Sequence, residues 1–286
     1  MSQVDAIFQA IEFMEANLKQ EISIADAASQ AGYSLYHFCR LFNALTHHTP
    51  YDYLVRRRLS GSARELAETR KKIVDIAFAY RFNNAETFSR AFKRLSGLQP
   101  KQWRRIKPRD RRLLMHRINR SHLLSIQQGD YLKPSLEDRP AFQVIGLMSR
   151  ISNDRHAVIE LWEALAGEIK AHLGSQQRLG YCGVQYYPQT RNVSSNFYMA
   201  AIVAESADFQ TTPLVAKTFP PLRLAAFPHQ GPAGRLELAR DYIYHTWLPR
   251  SGERLGPAFD IEFYSENPAL GDPERIRTTL YIPLGC

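Results

Sequence analysis

Cysteine is scarce in this chain. Cys39, Cys182 and Cys286 are its three thiols, widely spaced and odd in number. No Cys-x-x-Cys pair occurs, which excludes a disulfide framework and suits a reducing cytoplasm. Long apolar runs are also missing. The longest uncharged one, residues 197–204, falls far short of the roughly 20 residues a membrane-spanning helix needs, so no membrane partner is expected. Asp5, Glu12 and Glu15 interrupt the apolar residues of the N-terminus, which is not expected to be a signal peptide. Enzyme signatures are absent as well: no G-x-S-x-G, P-loop, H-E-x-x-H or G-x-G-x-x-G. No catalytic residue and no cofactor is therefore expected. His47-His48 lies in a turn without a nearby cysteine or acidic ligand set, and is expected at the surface rather than on a metal.

What is present is a folded composition of 44% hydrophobic and 11% aromatic residues in 286, a length that suits two domains. The charge is lopsided. Residues 1–120 hold 22 Lys+Arg against 11 Asp+Glu, and residues 121–286 hold 15 against 17. The whole formal charge of +9 thus belongs to the first part, as expected of a module that meets a polyanion.

That first part repeats itself. FCRLF at 38–42 returns as FSRAF at 88–92, with Leu45 and Leu95, and Pro50 and Pro100, in step fifty residues apart. Upstream, the same shift pairs Ile24 with Val74 and Ala27 with Ala77. Phe38, Leu41, Phe42 and Leu45 share one helix face, and Phe88, Ala91, Phe92 and Leu95 do likewise. Ser34 and Asn84 are placed to cap these helices. Short helices over 24–30 and 73–80 precede them, joined by tight turns, with Gly32 able to take positive φ. Each copy reads as a helix-turn-helix. The outward faces carry Tyr36, Cys39 and Arg40 in the first, and Ala85, Glu86, Ser89 and Arg90 in the second, where a major groove would be read. A helix over 51–69, about 28 Å long, would set the two about one DNA turn apart. A further amphipathic helix over 4–18 opens the chain. Arg56-Arg57-Arg58 either touches phosphate or faces water, and so does Arg70-Lys71-Lys72.

The stretch 24–105, including ADAASQAGYSLYHFCRLFNALTHHTPYDYLVRRRL and KKIVDIAFAYRFNNAETFSRAFKRLSGLQPKQWRR, resembles the AraC/XylS family of transcription regulators. The resemblance implies seven helices, double-stranded promoter DNA and RNA polymerase as partners, and more base contact by the first recognition helix than the second. Relatives often have glutamine where Cys39, Ala85 and Glu86 stand, a departure that bears on which DNA sequence is preferred.

Residues 104–120 hold seven arginines, and Pro108 should end the preceding helix. A basic interdomain linker is expected over 109–130. Beyond it the pattern turns to alternation. Strands are expected over 142–150, 180–187, 198–204, 222–229, 259–264 and 277–282, and helices over 155–173 and 232–248. The fold expected is an all-α double helix-turn-helix domain (1–108) followed by an α+β domain (131–286) of two tandem β-α-β-β units meeting at a ligand cleft. Trp162, Tyr181, Tyr186, Phe197, Trp247, Tyr264 and Tyr281 could wall that cleft. Glu262 sits in an otherwise apolar strand, where it either needs a partner or points to water.

LAAFPHQGP at 224–232, HTWLPRSG at 245–252 and the run from FDIEFYSENP at 259 to 284 resemble GyrI-like effector-binding domains. That resemblance implies a small amphipathic or cationic effector, with Glu262 at a family acidic position. Thr279 stands where relatives often carry a glutamate, which leaves neutral effectors open. The expected function is a ligand-responsive, DNA-binding transcription regulator. The alternatives are ligand scavenging, or small-molecule hydrolysis with Glu262 as base.

Overall fold

The computed structural model of the chain describes residues 2–108, 110–128, 133–151, 155–172, 180–187, 196–204 and 214–285. It divides into two compact units, Met1–Gly129 with Leu238–Ser251, and Asp130–Glu237 with Gly252–Cys286.

In the first unit the helices run α1 (Gln3–Ala16), α2 (Ile24–Gln30), α3 (Leu35–Thr46), α4 (Pro50–Glu68), α5 (Ile73–Ala79), α6 (Ala85–Ser96), α7 (Pro100–Ile106) and α8 (Arg120–Gln128). Their starts are chemically marked. Ser2 and Ser23 form capping boxes with Asp5 and Asp26, Ser34, Thr49 and Asn84 accept from backbone amides, and Pro50 and Pro100 open α4 and α7. α4 serves two cores. Its Tyr53 and Leu54 pack with α1–α3, while its Leu59, Ala63 and Leu66 pack with α5, α6 and Trp103.

The sequence repeat recurs as packing. The Phe38–Phe42 and Phe88–Phe92 rings are each 5.5 Å apart. Phe42 meets Tyr53 edge-on at 5.7 Å, and Phe92 meets Trp103 edge-on at 5.5 Å. The Thr46 hydroxyl donates to the Phe42 carbonyl and accepts from the His48 amide. The Ser96 hydroxyl does the same with Phe92 and Leu98.

One detail corrects the fifty-residue register. α3 and α6 are fifty positions apart, but α2 and α5 are forty-nine apart. Ala27 and Ala28 are therefore matched by Ile76 and Ala77, all buried. The second turn holds one residue more. Gly32 takes positive φ in the first turn (71°) and Arg81 in the second (65°), each followed by the same bond back to the first helix: Tyr33 N to Ala28 O and Phe82 N to Ala77 O.

Residues 109–130 were expected as a basic interdomain linker. Among those described, Met115, Ile118 and Leu123 enter the first core, and α8 contacts α1 and α3. The charged residues between them hid three apolar ones at spacings that meet a neighbouring core.

The second unit is built on one antiparallel sheet. Its strands are β1 (Ser135–Arg139), β2 (Phe142–Ile151), β3 (Tyr181–Tyr186), β4 (Asn196–Ala204), β5 (Val215–Phe219), β6 (Leu222–Gly231), β7 (Phe259–Tyr264) and β8 (Ile276–Pro283), in the order β1-β6-β8-β7-β3-β4-β2-β5. That order maps onto itself when each strand of one half is exchanged for its counterpart, with β3 and β7 at the centre. Each half thus gains a short leading strand beyond the expected β-α-β-β. Each leading strand pairs with the other half, β1 with β6 and β5 with β2.

Helix α9 (Arg155–His172) puts Trp162, Leu165 and Ile169 on Ile145, Tyr198, Ala200 and Ile202. Leu173, expected at its end, and Cys286 lie outside the described residues. The other sheet face carries a second apolar cluster, with Val144, Cys182, Val184, Met199, Leu224 and Ile261. Residues 236–251 form α10 (Leu236–Tyr242), a π-helical turn (Ile243–Trp247) and α11 (Leu248–Ser251). No helix among the described residues is long and apolar enough to cross a membrane.

Candidate DNA interface and small-molecule site

Burying Phe38, Leu41, Phe42 and Leu45 turns the opposite face of α3 outward. Tyr36 is 74% exposed there, and the Arg40 guanidinium lies over its ring at 5.7 Å. That contact holds an aromatic face and a five-donor fork side by side. Cys39 is half-buried and leans on the first core, leaving it less available than its two neighbours. The Ser34 side chain is engaged as the cap of α3, accepting from the His37 amide at 3.4 Å.

On α6, Asn84 caps the helix by accepting from Thr87 at 2.7 Å. Ala85 is half-buried, and the Ser89 hydroxyl donates to the Ala85 carbonyl at 2.7 Å, so its donor is spent. Glu86 and Arg90 are exposed, with 3.9 Å between the nearest charged atoms. So open and long a pair is screened by water and leaves the guanidinium available. Lys93 and Arg94 add positive charge to the last turn of α6.

The Arg56-Arg57-Arg58 run is neither a phosphate grip nor a solvated face. Arg56 bonds Asp52 at 2.7 Å, Arg57 grips both Glu15 oxygens at 2.7 and 2.9 Å, and Arg58 caps the carbonyls of Leu18 and Gln20. The Arg56 pair lies within α4, while Arg57 and Arg58 stitch α4 to α1 and the loop that follows it. Of the second run, Lys71 pairs with Glu65 while Arg70 and Lys72 stay exposed.

The His47-His48 pair is also not a plain surface turn. His48 is buried and bonds Asp52 at 3.0 Å and Thr246 at 2.9 Å. His47 bonds the Tyr242 hydroxyl at 3.1 Å. Burial lowers both imidazoles below the usual histidine range. Asp52 is only four residues from His48, but Tyr242 and Thr246 lie some two hundred residues on, beyond the reach of local pattern.

In the second unit Glu262 is 2% exposed, which excludes its pointing to water. Its Oε2 accepts from the Tyr198 hydroxyl at 2.7 Å and the Tyr264 hydroxyl at 2.6 Å. The Trp162 indole donates to the Tyr198 oxygen at 3.2 Å. Its ring stands 5.6 Å from Tyr264 and 6.2 Å from Tyr181. Gly183 faces Glu262 across the β3–β7 pair, and a Cβ there would come within 2.2 Å of the Tyr198 oxygen. Only glycine leaves room for this constellation.

Trp162, Tyr181, Glu262 and Tyr264 are thus brought together, and Tyr198, which sequence reasoning missed, joins them. Tyr186, Phe197 and Tyr281 are placed elsewhere. Each is an odd number of positions from a member of the cluster along its own strand or its paired neighbour, so alternation puts it on the opposite sheet face. There Arg139 lies 4.1 Å from the Phe263 ring centre and 5.3 Å from that of Tyr281. Burial raises the Tyr186 hydroxyl and the Cys182 thiol of that face to about 12. Trp247 ends the π-helical turn, in the first unit.

Residues 27–106 match the helix-turn-helix domain family, and residues 132–284 match the GyrI-like small molecule binding domain family. Over 99% of each chain, this chain is 27% identical to the transcriptional regulator Rob of Salmonella typhimurium. It is likewise 27% identical to the right origin-binding protein of Escherichia coli K12, again over 99% of each. The regulatory protein SoxS of Salmonella typhimurium is 35% identical over 36% of this chain and 97% of its own. Doubled helix-turn-helix, Glu262-centred sheet and these matches agree: the chain is an AraC-family DNA-binding transcription regulator with a GyrI-like small-molecule-binding domain.

Proposed function

We propose that this regulator reads promoter DNA chiefly through α3, with Tyr36 and Arg40 at the bases, while α6 supplies Arg90 and backbone-directed charge. Ser34 and Asn84 act at the helix starts as caps, and Cys39, Ala85, Glu86 and Ser89 border the contacted edges. The observation that carries the reading is the exposed Tyr36–Arg40 pair on a helix whose other face is wholly buried. A bidentate arginine–guanine contact discriminates by about 1–3 kcal/mol. Arg40→Ala should therefore relax preference at one base position. Arg90→Ala should weaken all sequences alike and lower the salt slope by about 1. Selection from a randomised duplex library tests the first, and anisotropy titrations across salt test the second. An unchanged sequence profile for Arg40→Ala would remove its base-reading role.

The effector is a small amphipathic or cationic molecule that meets the Trp162, Tyr181, Tyr198 and Tyr264 rings, with Glu262 supplying negative charge. Tyr186, Phe197 and Tyr281 serve the opposite face and Trp247 lies apart, so their part in binding is lesser. Effector binding changes DNA affinity by a coupling of about 1–3 kcal/mol, a 5–150-fold effect. The regulated output passes to RNA polymerase in the cytoplasm, and no catalytic turnover is involved. Glu262→Gln keeps the side-chain shape and should weaken amphipathic cations more than neutral molecules of the same shape. Equal loss for both classes, read by tyrosine and tryptophan quenching, would remove the charge from recognition.

A further inference from the structure

His116, Asp241 and His245 meet within the first unit although 125 residues separate the first two. One ligand atom from each lies within 4.8 Å of the others. His116 Nδ1 is 2.8 Å from Asp241 Oδ1, His245 Nδ1 is 3.9 Å from the same oxygen, and the two imidazole rings are 5.0 Å apart. We propose that these three residues form a binding site for a divalent transition metal of the zinc class.

The donor set fits. Two imidazoles and one carboxylate suit zinc, cobalt, nickel or copper, and not magnesium or calcium, which want oxygen. Zinc–ligand bonds of about 2.0–2.1 Å in a tetrahedron place neighbouring donors about 3.3 Å apart. The two separations from Asp241, 2.8 and 3.9 Å, bracket that value, and ring rotation has to close the separation between the two imidazoles, which is within 4.8 Å.

A single carboxylate facing two imidazoles can satisfy one imidazolium well and two only with repulsion between them. One dication between the three neutralises the carboxylate and uses a lone pair from each ring. Asp241 and His245 sit four residues apart, where the helix widens into the π-helical turn Ile243–Trp247. Such turns recur at functional sites because they re-aim side chains out of the regular helical row. His116 and Asp241 are partly exposed, at 33% and 27% of their side-chain surface. That gives an ion its entry and leaves the fourth position to water. Two of the three ligands lie on a segment that follows β6 and precedes β7 in the chain, while the third precedes α8. A bound ion would therefore clasp a piece of the sheet-forming half of the sequence to the DNA-binding unit.

The test uses the full chain, stripped with a chelator and titrated calorimetrically with zinc, then with magnesium. One zinc per chain should bind in the range of about 10 µM or tighter, magnesium should not, and saturation should raise Tm by roughly 5 °C. Cobalt should give ligand-field bands without thiolate charge transfer. His116→Gln should weaken zinc at least tenfold, as should His245→Gln. His156→Gln, in α9, should not. His245 is buried, so if its variant misfolds the partly exposed His116 decides. Absence of saturable zinc binding overturns the proposal. So does full affinity in His116→Gln, or a thiolate band that puts the ion on a cysteine.

Discussion

The first helix-turn-helix closes its recognition helix on His47, at φ 56°, and the second closes on Gly97, at φ 73°. Glycine takes that conformation freely, while a side chain there costs about 1 kcal/mol or more. In the preceding turns the roles are reversed, with Gly32 in the first copy and Arg81 in the second. Two copies of one motif thus place their strain at different joints. In the first, the strained residue has other work: His47 reaches Tyr242 and accepts Arg250 on its carbonyl. In the second, Arg81 pairs with Glu21. Charge is divided as well. α3 presents Arg40 beside an aromatic ring, whereas α6 presents Arg90, Lys93 and Arg94. The proposed division of α3 as reader and α6 as grip rests on this difference.

The largest effect should come from emptying either core. Phe42→Ala and Phe92→Ala should each cost about 3–5 kcal/mol, since both rings are fully buried between corresponding aromatic neighbours. Urea denaturation that shows one of them nearly neutral would break the equivalence of the two cores.

Acid should separate the copies next. Burial brings His122, beside the first core, down to about 4 from 6.5, with Asp241, His47 and His48 the charged or titratable groups around it. Between those values the unfolded chain holds a proton that the folded one refuses. Stability is therefore whole above 6.5 and falls as pH drops toward 4, by at most about 3 kcal/mol. Metal-free protein should show this loss, and His122→Gln should show less of it. An identical acid profile in the variant would mean that other groups govern acid unfolding.

Smaller effects sharpen the contrast at the helix ends. Gly97→Ala should destabilise by about 1 kcal/mol through backbone conformation alone, because no atom lies within 4 Å of the added Cβ. His47→Gly should gain less than that mirror change loses, since it surrenders the Tyr242 bond. Most alike, Thr46→Val and Ser96→Ala should each cost about 1 kcal/mol, the worth of one buried hydroxyl latch.

The helices with a clean 3.6-residue stripe were legible from sequence to within a residue or two. Phe38, Leu41, Phe42 and Leu45 fix α3 without outside help, and β7 is bounded by its own apolar alternation. Elements that depend on distant partners were not. β1, Ser-Leu-Glu-Asp-Arg, is almost wholly exposed and owes its existence to β6. α8 is short, and its Leu123 is buried in a core that α1 and α3 supply. The fifty-residue shift carried one position too far upstream because the second turn is longer by one. Of the small-molecule site, Glu262 stood out as a carboxylate among apolar neighbours. Tyr198 did not, since one step of strand parity separates it from Phe197. Thr246, which bonds His48, and Asp241, which bonds His116, lie more than a hundred residues away, where no spacing rule reaches.

The exchange of leading strands has a consequence for inheritance. Because β1 completes the far half and β5 the near one, severing the polypeptide between β4 and β5 would leave each fragment missing its outermost rung and holding its sibling's. Such a domain can be transplanted only as a whole.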